Sequence, residues 1–153
     1  MFIVIVLGIF NVLTTFVCYF ILRRKRALFG DRYAASITKA AVSVSALVVG
    51  IHISSAFTIH PSFIVLCSII YGGVVGILFG ALVKFHSILL GFYQGVLGSI
   101  MGVMIGEVLK NPQLCSIPLA SAQQQFVMIY QMCGFSSLLL LFVFMLILYS
   151  LRV

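Results

Sequence analysis

"YGGVVGILFGALVKFHSILLGFYQGVLGSIMGVMIGEV", residues 71–108, holds two apolar runs separated by the short polar turn "KFHS". Each run carries glycine at helical spacing. Gly72, Gly76 and Gly80 recur in the first, with Gly73 beside them. Gly91, Gly95, Gly98, Gly102 and Gly106 recur in the second. Glycine in a helix interior costs roughly 1 kcal/mol against alanine in water. So regular a repeat marks a place where one backbone must approach another. At about 100° per residue, the five glycines of the second run fall within about 80° of one helix face. A turn as short as "KFHS" makes the two runs antiparallel neighbours. In lipid, apolar surface gives no net drive for helices to associate. Close backbone approach, with van der Waals and weak Cα–H contacts, supplies it.

The rest of the chain agrees with a lipid setting. Its 153 residues are 63% hydrophobic and only 7% charged, with a mean hydropathy of +1.31. Soluble domains carry about 25% charged residues, and so few charges would not solvate a globular surface. No stretch is polar enough, for long enough, to form a separate soluble domain. Residues 1–153 therefore read as a single transmembrane domain. Five apolar spans are expected, at about 2–22, 35–57, 63–83, 88–109 and 126–151. Each is long enough for a hydrocarbon core of about 30 Å. The runs are continuously apolar and do not alternate, which favours helices over a barrel. The predicted class is an all-α polytopic membrane protein with a glycine-striped hairpin formed by spans three and four.

The net charge of +7 does not point to nucleic acid. The basic residues sit between apolar segments, where they set orientation. With the N-terminus outside, Arg23, Arg24, Lys25, Arg26, Arg32, Lys39, Lys84 and Arg152 lie at the cytoplasmic side, and only Lys110 lies outside. The expectation is an outside N-terminus and a cytoplasmic C-terminus, in a bacterial cytoplasmic membrane. The cluster Arg23–Arg26 follows the first apolar run, whereas a signal peptide carries its charge ahead of one, so this run reads as a retained anchor.

The second span carries its own small-residue stripe, Ala46, Gly50 and Ser54. Spans two to four can thus pack tightly, but three stripes cannot all pair at once. Either the stripes serve one chain, or one glycine face is left for another subunit or another copy. Spans one and five lack such a stripe. The fifth, with "LLLLFVFMLILYS", reads as an outer, lipid-facing helix.

Few residues offer chemistry. Glu107 is one of two carboxylates, and an acid inside a span is a functional candidate by default. Lys110 stands at i+3, so a boundary ion pair is the alternative. By helix geometry Glu107 points away from the glycine stripe, on the side of Met104. Asp31 reads as a turn residue beside Gly30. His52 is polar inside an apolar span and suits an interhelical hydrogen bond or, less simply, a metal bond. His60 precedes Pro61 in an outer turn, and His86 with Lys84 sits at the inner turn. Met104, Met128, Met132 and Cys133 gather towards the outer side, a soft set that would suit Cu(I). The pair Met128-x-x-x-Met132 beside Gly-x-x-x-Gly helices resembles the pairing in the copper-uptake channel family. The chain departs from that family in span count, motif order and the absence of a Met-rich outer terminus. The likeness is local, and no metal or other cofactor is assigned from it. Cys115 and Cys133 form a possible disulfide on an oxidising side. The outer loop "KNPQLCSIPLASAQQQ" is a linker or a partner surface.

No nucleotide-binding, hydrolase, dehydrogenase or zinc motif is present, and the glycines lie at helical spacing rather than in a phosphate loop. A non-enzymatic protein is expected. The partners expected are the lipid bilayer and other membrane subunits or copies of itself, not nucleic acid. Two roles stay open: a structural or accessory subunit assembling through glycine faces, and a small oligomeric transporter or channel for protons, ions or a soft metal.

Overall fold

A computed structural model describes residues 2–24, 31–57, 60–83, 85–111 and 122–150 of the chain; the side chains of residues 31–34, 85 and 122 are outside that description. Five helices account for nearly all of it: α1 (Phe2–Arg24), α2 (Asp31–Ala56), α3 (Pro61–Gly80), α4 (Phe85–Lys110) and α5 (Ala122–Ser150). The described residues contain no strand. All five helices are long and apolar enough to cross a membrane. The shortest, α3, has 20 residues, which at about 1.5 Å per residue spans roughly 30 Å.

The helix ends follow local chemistry. α1 runs through Arg23 and Arg24, whose charges complement the negative end of the helix dipole. α2 begins at Asp31, so Asp31 opens a helix rather than sitting in a turn. His60 precedes α3 and Pro61 occupies its first turn, where a missing N–H leaves no bond unmade. α3 unwinds into a turn in which Ala81 N–H donates to Ile77 O at 2.8 Å and Val83 N–H to Gly80 O at 3.1 Å. Past residue 84 the chain returns as α4.

α4 is the central element. It packs along both α2 and α3, which touch each other much less. The five-glycine stripe is divided lengthwise between these two partners. Gly91 and Gly95 lie against α3, where a Cβ on either would overlap the carbonyl of Gly76 or Gly72 respectively. The reverse holds for Gly72 and Gly76, whose added Cβ atoms would overlap Gly95 O and Gly91 O. Gly80 closes the hairpin, with Ser87 O only 2.7 Å from its virtual Cβ. Farther along, Gly98 turns to α2, with Ser43 O at 2.8 Å and Ala46 Cβ at 3.2 Å from its virtual Cβ. Gly102 meets Leu47 O and the Gly50 backbone, and Gly106 meets Ser54 Cβ at 2.6 Å. Gly50 in turn faces Ser99 O at 2.9 Å. Three stripes are accommodated because the longest serves two neighbours in succession. Every predicted stripe residue faces a helix of its own chain, so the stripe glycines leave no bare face for a second one.

α1 and α5 flank this core, each resting on α2 and touching one another. Tyr19 of α1 packs edge-on against Phe79 of α3, with ring centroids 5.6 Å apart. Cys18, Val42, Val75, Phe79, Leu140 and Phe144 belong to one buried cluster that draws on four helices. α5 is therefore not simply an outer helix. Cys133, Ser136, Ser137, Leu140, Phe144 and Ile147 are buried, while Phe135, Leu138, Phe142 and Met145 are exposed.

Candidate functional site: two polar clusters inside the helix bundle

The first cluster joins α1, α2 and α5. Asn11, His52 and Ser137 come together although they are far apart in sequence. Asn11 is wholly buried and His52 is 2% exposed. Asn11 Nδ2 donates to Ser137 Oγ at 2.8 Å and stands 3.4 Å from His52 Nε2. Ser137 Oγ donates to Cys133 O at 2.8 Å and lies 3.5 Å from His52 Nε2.

The tautomer of His52 follows from its other nitrogen. Nδ1 stands 2.8 Å from Val48 O. A carbonyl oxygen only accepts, so Nδ1 carries the hydrogen and Nε2 offers its lone pair in neutral imidazole. That lone pair faces the Asn11 amide N–H, and the donor order runs from Asn11 to Ser137 to the Cys133 carbonyl. The remaining Asn11 atom, Oδ1, is buried without a hydrogen-bond partner. Inside a low-dielectric core such an atom costs about 1–3 kcal/mol.

Small and hydroxylic residues extend this environment. Ser55 of α2 lies beside the Cys133 thiol. Thr15 donates to Asn11 O at 2.9 Å. The Tyr71 hydroxyl of α3 is enclosed beside Thr15. Gly8 lets α1 approach His52, whose Cβ is 3.4 Å from the virtual Cβ of that glycine. His52 Nε2 thus makes long contacts with two helices, at 3.4 Å to Asn11 of α1 and 3.5 Å to Ser137 of α5.

The second cluster lies at the C-terminal end of α4. Glu107 Oε1 accepts from Ser54 Oγ at 2.8 Å and pairs with Lys110 Nζ at 2.7 Å. Lys110 Nζ also donates to Phe57 O at 3.1 Å, and Gln125 Nε2 donates to Lys110 O. The carboxylate therefore reaches back to the α2 stripe rather than pointing away from it. The reason is its length: the Glu107 side chain spans from its own position to Ser54, which Gly106 has already brought near. This cluster ties α2, α4 and α5 at one end of the bundle. Both partners of the ion pair keep partial exposure, so its net contribution is about 0–1 kcal/mol.

The soft-ligand candidates do not share one environment. Met104 is 64% exposed on α4, Met132 is exposed on α5, and Cys133 is enclosed against α1 and α2. Met128 is half-buried. Among the described residues, no group of three His, Cys, Asp or Glu side chains stands close enough to hold a metal ion. Cys115 and the basic residues Lys25, Arg26, Arg32 and Lys84 lie outside the described residues or side chains, as does most of the outer loop. Cys18, Cys67 and Cys133 are free thiols. His60 and His86 are exposed at helix ends, apart from both clusters.

Asn11 and Ser137 were not singled out by sequence reading. The available signal was the amide itself: Asn11 is the one asparagine or glutamine in the apolar run of α1, and a buried amide in lipid needs partners. Ser137 gave no such signal, because serine within a span can satisfy itself on the preceding turn. No family model, curated protein or solved structure matches this chain. The methionine and glycine spacing that resembles copper-uptake channels thus stands as a local likeness without a family behind it.

Proposed function

We propose that this small integral membrane protein is a non-catalytic structural or accessory subunit of a larger membrane complex. The observation that carries the reading is the division of labour among the helices. The glycine faces of α2, α3 and α4 are engaged within the chain, which makes a stiff three-helix core. Large exposed apolar side chains are most numerous on the flanking helices, among them Phe10, Phe16 and Phe20 on α1 and Phe135, Phe142 and Met145 on α5, with fewer on α3 and α4. The stripe glycines are taken up within the chain, so partner helices dock on exposed apolar side chains, of which α1 and α5 carry the most. α5 offers one small-residue notch, since Gly134 has nothing within 4 Å of its virtual Cβ. Partners are other membrane subunits or further copies of the chain.

Orientation belongs to the same reading. Arg23, Arg24 and Lys39 lie at one side of the bundle and Lys110 at the other. The excess of basic residues on the first side supports a cytoplasmic placement for it, with the N-terminus outside; a bacterial cytoplasmic membrane suits this arrangement. The composition of the particle purified in a mild detergent tests the role. Co-purifying chains, or self-crosslinks through Gly134→Cys in native membranes, are expected. A lone monomer that resists crosslinking at α1 and α5 overturns the proposal.

The buried Asn11–His52–Ser137 cluster favours a second reading, a transporter or channel for protons or small cations. Intramembrane polar clusters recur along ion and proton paths. Turning the Asn11 amide over would offer Oδ1 to a doubly protonated His52, so the cluster holds the parts for two protonation states. Cys133 and Tyr71 are the other titratable groups around it, from α5 and α3. Proton flux into vesicles that is lost in His52→Gln supports this reading; equal flux in wild type, variant and empty vesicles rejects it.

A further inference from the structure

A cleft of ≈ 490 Å³ opens between α1 and α2, with Tyr71 of α3 at one end. Ile5, Ile9 and Leu13 line the α1 side, Ile53 and Phe57 the α2 side, and the wall is almost wholly carbon. Gly8 and His52 meet at its floor, with His52 Cβ 3.4 Å from the virtual Cβ of Gly8. The volume falls within the range of about 300–1,000 Å³ that binding sites for small molecules occupy.

The α1 wall is also part of the bundle's outer surface. Ile5, Ile9 and Leu13 are 41%, 57% and 58% exposed. The cleft is thus continuous with the apolar belt that meets the bilayer. An apolar cavity does not hold water, and at this level of the membrane the matter facing its mouth is hydrocarbon. The outer end of the cleft has a polar rim. Phe57 lies on its wall, and the Phe57 carbonyl receives the Lys110 ammonium, itself paired with Glu107. A chain lying along the cleft would leave it at the level of these charges, where a lipid carries its phosphate and ester groups.

We propose that the cleft is a binding site for one acyl chain of a bilayer phospholipid. The chain packs between α1 and α2 down to Gly8 and His52, and its headgroup sits at the rim near Phe57 and Lys110. This goes beyond the role of accessory subunit and does not depend on it. Three helices surround the chain, so its residence exceeds that of lipid on a convex helix face such as that of α5.

The full chain, reconstituted in phosphatidylglycerol–phosphatidylcholine vesicles, tests this with a phosphatidylcholine that bears a diazirine on its acyl chain. After irradiation, adducts are mapped by mass spectrometry. Adducts at Ile53 and Phe57 are expected several-fold above those at Phe142 and Met145, which are more open to lipid on α5. Ile9→Trp fills the cleft from an exposed position and should bring Ile53 labelling down to the α5 level. Ile5→Trp, one turn away on the same wall, is the second plug, and circular dichroism verifies that both variants keep their helices. Equal labelling of the cleft and the α5 face in the wild type overturns the proposal. So does cleft labelling that persists in full in both folded plug variants.

Discussion

Replacing Gly95 with alanine puts a methyl group where three helices already meet. The added Cβ would overlap the carbonyl of Gly72 on α3 and stand 3.3 Å from Val42 Cγ1 on α2. α4 cannot retreat: moving off α3 presses it onto α2. Overpacking a filled core costs about 1–3 kcal/mol. A backbone obstacle, which cannot change rotamer, places this site near the upper end, at about 3 kcal/mol. Alanine returns up to about 1 kcal/mol of helix propensity, leaving a net loss of about 2 kcal/mol. Gly134→Ala is the internal control, because nothing lies within 4 Å of its virtual Cβ. It carries only the propensity gain, about 0–1 kcal/mol. The two substitutions are chemically identical and should differ by about 3 kcal/mol, roughly a hundredfold in the folded-to-unfolded ratio. Unfolding by sodium dodecyl sulfate in dodecylmaltoside micelles, followed by circular dichroism, measures both. A Gly95→Ala variant as stable as Gly134→Ala would refute the claim that the stripe is set by backbone contact inside the chain.

The other expectations concern the polar clusters and the topology. Asn11→Ala and Ser137→Ala should each destabilise the protein. A double-mutant cycle should give a coupling of about 0.6–1.7 kcal/mol, the range of interhelical hydrogen bonds in membranes; a coupling of zero removes the bond from the account of the α1–α5 contact. Glu107→Gln breaks the pair with Lys110 and keeps an acceptor for Ser54, so the loss should be only about 0–1 kcal/mol and should shrink with added salt. A larger, salt-independent loss would mean that the pair is shielded from solvent. In a cysteine-free background, a cysteine at Asn111 should react with impermeant maleimide in intact cells, and one at Arg24 only after permeabilisation. The reverse pattern inverts the orientation.

Helix number and placement were readable because in lipid an apolar run has little alternative to a helix that bonds its own backbone. The ends shifted where polar residues joined the helix: Arg23 and Arg24 extend α1, Asp31 starts α2, and Pro61 starts α3 two residues before the apolar run at Phe63. The glycine spacing announced close contact but not its partner. Gly95 and Gly98 are separated by less than one turn, yet one faces α3 and the other α2. Only the crossing of three helices decides that, and periodicity within one helix holds no record of it. The polar clusters were legible in proportion to how unusual each residue is in a span. His52 and Glu107 stood out by type. Ser137 did not, and its bond to Asn11 joins the first helix to the last, a distance that no local pattern spans.

The position of α4 between α2 and α3 has a consequence for biosynthesis. The chain delivers α1, α2 and α3 to the membrane before the helix that unites them. Until α4 is synthesised, Gly50, Gly72 and Gly76 face lipid or an insertion factor instead of backbone, and α2 and α3 touch each other only sparsely. A nascent chain stopped short of Gly106 therefore has three or more spans but no completed core. Commitment of α2 and α3 to their native arrangement comes late, with the arrival of one hairpin partner that meets both of them together.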